Sequence, residues 1–164
     1  MCISYKNGDC KQCWKKMIDF QLKIDSRILQ AILPQLEKTF ALACKRGGFS
    51  YSCPNPMDDD FVEAWEVGLK QDFSQDRKAL AKLFRNPKFK HGYIEVPDDE
   101  VDEVLRCLTE LRLTLREHSL GELSDEDLEK GDVENGLDNS SIRIAYFAYL
   151  VMAEIQEVLI SKIS

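Results

Sequence analysis

The amino-acid sequence predicts a mainly α fold: a helical bundle of about five helices with a minor two-stranded β element. Three observations point there. Apolar residues recur at three- to four-residue intervals along several long runs, the period of a helix with one buried face. Two short runs alternate apolar and polar residues, the period of a half-buried strand. The chain has 164 residues, 44% apolar and 31% charged, which suits one packed domain burying about 70% of the surface its unfolded form exposes.

Residues 1–16 read as a flexible, basic, Cys-rich arm, and 17–164 as a single helical domain. In residues 17–24 the apolar positions Ile18, Phe20, Leu22 and Ile24 alternate with polar ones, predicting a strand. Asp25 or Ser26 can then cap a helix whose apolar face is Ile28, Leu29, Ile32, Leu33, Leu36, Phe40 and Cys44. Pro34 lies inside this run and should kink the helix or begin a new one, because it has no amide to donate. Gly47-Gly48 ends the segment, and Pro54 and Pro56 mark a loop.

Asp58, Asp59 and Asp60 suit the positive end of the next helix, which carries Phe61, Val62, Trp65 and Leu69 on one side. Asp76 falls where the next apolar residue should stand and Ser74 is a good cap. A break is therefore expected there, with a separate helix from about 75 to 86 burying Leu80, Leu83 and Phe84. Asn86-Pro87 closes it. Residues 92–96 predict a second strand, and Pro97-Asp98-Asp99-Glu100 a helix start. That helix runs to about His118 and buries Val101, Val104, Leu105, Leu108, Leu111 and Leu115. Residues 121–141 are an acidic loop with a short helix capped by Ser124. The last helix, about 139–162, is apolar on most sides in its middle, as the central post of a bundle would be. An alternating run, an acidic cap and an amphipathic helix occur in that order twice, so the two strands are expected to pair.

The net charge is −7, which repels phosphate backbones on average, and nucleic acid is not the expected partner. Residues 1–57 carry nine Lys or Arg against four acids, a balance of +5, and the remainder thirteen against twenty-five, a balance of −12. The two parts either attract each other or form two solvated faces of one domain. No apolar leader precedes the first element and no stretch reaches the roughly 18 apolar residues of a membrane span, so a cytoplasmic location with reduced thiols is expected, away from any membrane.

Cys10-Lys-Gln-Cys13 has the spacing of half a zinc knuckle, but no second pair follows, so Cys10 and Cys13 are metal candidates on an incomplete signature and no cofactor is expected. Asp125, Asp127 and Glu129 imitate a calcium loop, yet Lys130 and Gly136 occupy the positions of its turn glycine and bidentate acid, which rules it out. Arg77, Lys78, Lys82, Arg85, Lys88 and Lys90 form a basic stretch with no acid from 77 to 94. It could contact phosphates or pair with the acid-rich remainder of the chain. Arg112 sits at the edge of an apolar stripe and must find acceptors there, since an unpaired buried charge costs roughly 3–5 kcal/mol. Glu110 lies on another face of that helix. No catalytic motif is present and two histidines leave little for a His-based dyad.

The segments Phe61-Val62-Glu63, Phe73-Ser-Gln-Asp-Arg77, Tyr93-Ile-Glu-Val96 and Leu108-Thr-Glu-Leu-Arg-Leu113 follow one another in an order that resembles a bacterial domain-of-unknown-function family, number two-zero-one-seven. Arg112 matches the arginine of that family's final run, while Thr109 and Glu110 replace its usual Asn and Asp. The resemblance implies a helical fold and a bacterial cytoplasm. It implies no activity; the neighbourhood of such genes, near that of a protease adaptor in some lineages, hints at protein quality control. The reading is a small protein-interaction module, an adaptor or regulator acting on a protein partner or pairing with itself as a homodimer. The alternative is a ligand-binding protein or enzyme with a pocket near Arg112. Arg112, Glu110, Arg77 and Trp65 are the candidate binding residues.

Overall fold

The computed structural model describes residues 16–46, 55–130 and 140–164. The elements are β1 (Met17–Gln21), α1 (Ser26–Arg46), α2 (Asp59–Arg85), β2 (Tyr93–Pro97), α3 (Val101–His118), α4 (Asp125–Lys130) and α5 (Ser140–Ile163). Single 3-10 turns precede β2 at Phe89–His91 and α3 at Asp98–Glu100. The fold is therefore mainly α with a small antiparallel β pair. Of the N-terminal arm only Lys16 is described; Cys10 and Cys13 lie outside the described residues.

β1 and β2 pair antiparallel with Met17 opposite Pro97 and Gln21 opposite Tyr93. One further bond at each end lengthens the ladder, Leu22 N–H to Gly92 O at 2.7 Å and Asp98 N–H to Lys16 O at 2.8 Å. Ile18, Ile94 and Val96 are buried while Met17 and Tyr93 are exposed, the alternation that a pleated strand imposes. A two-stranded ribbon is marginal by itself; here its inner face joins the helical core beside Phe89.

Gly92 closes the turn before β2 at φ +86, donating to Phe89 O at 2.9 Å. A Cβ there would lie 3.3 Å from Leu22 O and 3.5 Å from Leu29 Cδ1. Gly92→Ala is therefore expected to lose about 1–2 kcal/mol, from the left-handed backbone alone and before any crowding. Urea unfolding followed by far-ultraviolet circular dichroism checks this; an unchanged midpoint would contradict it.

α1 continues through Pro34 and no new helix begins there. Gln30, whose carbonyl loses its helical donor to the proline, lies on the exposed side, where solvent can replace the missing amide. α2 corrects the expected break. It is one helix of 27 residues, capped at Asp58, whose carboxylate accepts from Phe61 N–H at 3.2 Å. Asp76 is 5% exposed, in line with the apolar face, because Arg106 of α3 meets it at 2.9 Å. The ion pair supplies what an apolar residue would otherwise have supplied by burial, so the helix has no reason to stop. Asp76 in turn holds the Arg106 guanidinium above its ordinary range. Lys82 and Glu100 meet at 3.4 Å, so α2 and α3 run antiparallel.

α3 is the helix that the others share, packing against α1, α2 and α5. It supplies Val101, Val104, Leu108, Leu111 and Leu115 to the core. α5 was expected in that central place and is not there. It packs on α1 and α3 through Ala145, Ala148, Val151, Met152, Ile155 and Leu159, and leaves Leu150 and Ile160 exposed on its far side. By length and composition alone α5 could cross a membrane, but the described fold uses its inner face as core. The short helix α4 is capped as expected, with Asp127 N–H donating to Ser124 Oγ at 3.0 Å.

Candidate functional site

α1 and α2 both lean on α3 but make little contact with each other, and the space between them is a groove. Helical periodicity decides what faces it. On α2, Ala79, Leu80 and Leu83 turn to the core. Ser74, Arg77, Lys78, Ala81, Lys82 and Arg85, at intervals of three and four, turn to the groove. The opposite wall is Phe40 and Cys44 of α1. The cavity so formed has a volume of about 730 Å³, and among the described residues no carboxylate lines it.

Among the described residues few partners neutralise the cations of this row. Lys82 shares Glu100, but among the described residues Arg77, Lys78 and Arg85 make no ion pair. Arg77 instead lies over the Phe73 ring, its Cζ 4.7 Å from the centroid. Lys78 and Lys82 are four residues apart on one helix, a like-charge spacing that costs a few tenths of a kcal/mol. Part of this basic character is useful to the helix itself, since Lys82 and Arg85 lie in its last turn at the negative end of the dipole.

The groove changes character along its length. A second cavity of about 210 Å³ adjoins the first and shares Phe40, Ala81 and Arg85 with it. Its other walls are Leu33, Leu36, Glu37 and Phe84. The groove thus carries Arg77, Lys78 and Lys82 at one end and Leu33, Leu36 and Phe84 with Glu37 at the other, Phe40, Ala81 and Arg85 lining both. Behind the cationic end, on α3, sits Cys107, buried and free. Burial pushes its thiol up to about 12, with the negative fields of Asp76, Cys44 and Glu110 adding to the effect and Arg77 opposing it.

The four residues expected to bind are thereby divided. Arg77 lines the groove. Glu110 is buried on the side of α3 that carries Cys107. Trp65 is half-buried on the first half of α2, stacked at 6.4 Å on Phe61 and about 18 Å of helix rise away from Arg77. Arg112 faces α5. Its Nη1 donates to Gln156 Oε1 at 2.7 Å and its Nη2 to Tyr149 Oη at 3.0 Å, with the guanidinium 4.6 Å from the Tyr149 ring centroid. Gln156 Nε2 donates onward to Thr109 Oγ1 at 2.8 Å and to Leu105 O at 3.1 Å. Arg112 lines neither of the two groove cavities.

Sequence reasoning identified the basic row but not its opposing wall. By spacing, Phe40 and Cys44 continue α1's core stripe, and half-burial at both positions is the trace of the groove. Among the described residues no group of three His, Cys, Asp or Glu could hold a metal ion. Comparison of the chain with protein-family models, with curated proteins and with solved structures finds no match.

Proposed function

We propose that this chain is a small protein-interaction module of the cytoplasm, an adaptor or regulator, and that it holds its partner in the groove between α1 and α2. The observation that carries the reading is the row Arg77, Lys78 and Arg85, which makes no ion pair among the described residues, along an open cleft that adjoins a chamber walled by Leu33, Leu36, Phe40 and Phe84. Charged residues on the walls of such a cleft favour encounter and register, and the apolar chamber supplies affinity through burial. The cleft is wide open to solvent, unlike the enclosed pockets that bury most of a small ligand. Burial of one face of α5 against α1 and α3 supports a location away from the membrane.

The resemblance of Phe61 to Leu115 to the bacterial family suggests where the partner belongs, among the proteases and chaperones of protein quality control. The alternative of a ligand at Arg112 has less support, since both terminal nitrogens of that guanidinium already donate to α5 side chains.

The reading is tested by affinity capture from lysate with the wild-type chain and an Arg77→Glu/Lys78→Glu/Arg85→Glu variant, read by quantitative mass spectrometry. The expected result is at least a tenfold drop in the variant's recovery of the proteins the wild type enriches, with circular dichroism unchanged. Equal recovery by both chains would remove the groove as the docking site.

A further inference from the structure

We infer that the groove is built for an acidic amphipathic segment of the partner, with carboxylates against the α2 cations and an apolar side chain in the adjoining chamber. The inference rests on the docking reading above and specifies its occupant. The cations run from Arg77 to Arg85, eight residues apart and so about 12 Å along the helix axis. A single small anion reaches only part of that length. A partner helix with acids three to four residues apart repeats the same spacing, so its carboxylates can meet Arg77 or Lys78, then Lys82, then Arg85 in turn.

The apolar chamber separates this occupant from other polyanions. At about 210 Å³ it is smaller than the roughly 300 Å³ at which pockets for whole small molecules begin, and it suits one side chain. Leu36, Phe40 and Phe84 on its walls offer an aromatic or leucine anchor a place to leave water. A nucleic-acid strand has bases that could enter the chamber, but its uniformly charged backbone would approach a chain of net charge −7. Glu37 at the chamber's edge adds a selective element, disfavouring a segment whose acids continue past the anchor.

The test is fluorescence anisotropy with the full chain at low ionic strength. The probe is a labelled 16-residue helical peptide carrying glutamates on one stripe and a leucine and a phenylalanine beside it. Three further probes have the glutamates replaced by glutamine, the apolar pair replaced by serine, or the peptide replaced by a single-stranded oligonucleotide. The expected result is binding of the first peptide at least tenfold tighter than either altered peptide or the oligonucleotide. Lys78→Glu/Arg85→Glu should weaken it at least tenfold, and Lys16→Glu/Lys90→Glu, two exposed lysines outside the groove, by less than twofold. Equal binding of the glutamine peptide, or preference for the oligonucleotide, would overturn the inference. If the charge-reversed chain loses captured partners while no acidic peptide binds, the groove remains the docking site and the acidic occupant is wrong. If capture is also unaffected, the docking reading itself falls.

Discussion

Gln156→Leu is expected to destabilise the chain by about 2–4 kcal/mol, and Arg112→Leu by about 1–3 kcal/mol, while the double variant recovers most of the larger loss. The reason is the asymmetry of a polar pair in which Gln156 is buried and Arg112 half-buried. Removing Gln156 takes away the side-chain carbonyl that Arg112 Nη1 meets at 2.7 Å and leaves a cation in the α3–α5 seam with Tyr149 as its remaining partner. Removing Arg112 leaves the Gln156 carbonyl without that donor but creates no orphaned charge. Removing both leaves a seam of leucines beside Leu105 and Tyr149, with no charge to solvate. A double-mutant cycle in urea, monitored by circular dichroism, measures the coupling directly. If Arg112→Leu were neutral and the cycle showed no coupling, the seam would not depend on Arg112, and a ligand role for it would regain its force.

This seam shows how far local pattern reaches. The edge position of Arg112 on an apolar stripe is visible in the spacing of Val101, Leu105, Leu108 and Leu115, and it requires acceptors. Their identity is not visible, because Gln156 lies 44 residues away on another helix. Asp76 fails for the same reason. Within α2 it breaks the apolar line and argues for a stop; only Arg106, 30 residues on, makes its burial favourable. Strand pairing is legible because β1 and β2 each alternate and each precede an acidic residue or run that opens an amphipathic helix, and Gly92 marks the turn before the second. α5 was misplaced because a helix apolar on most sides can be central or can simply leave Leu150 and Ile160 in solvent, and periodicity does not choose between them. The basic row was legible for its charge, but a groove needs two walls, and Phe40 and Cys44 look like core residues until α2 is seen to stand apart from α1.

The two thiols beside the groove provide the second large contrast. Only the thiolate attacks a maleimide. With its thiol pushed up to about 12, Cys107 has a thiolate fraction on the order of 10⁻⁴ at pH 8, and its side chain is buried as well. That fraction rises about tenfold per pH unit below the pKa, so Cys107 should stay nearly inert at neutral pH and gain reactivity only in strongly alkaline solution. Cys44 is half-buried and opens onto the cationic cavity, where reagent can reach it. N-ethylmaleimide at pH 8 should modify Cys44 at least a hundredfold faster than Cys107.

The measurement that tests the docking groove most directly is therefore the rate of that modification at Cys44, resolved by peptide mass spectrometry, with and without the acidic amphipathic peptide at saturation. A segment lying between Phe40 and Arg85 covers Cys44, so the predicted result is at least a fivefold slowing at Cys44 with Cys107 unchanged. A peptide that binds by anisotropy yet leaves the Cys44 rate untouched would be bound elsewhere, and the α1–α2 groove would not be the site.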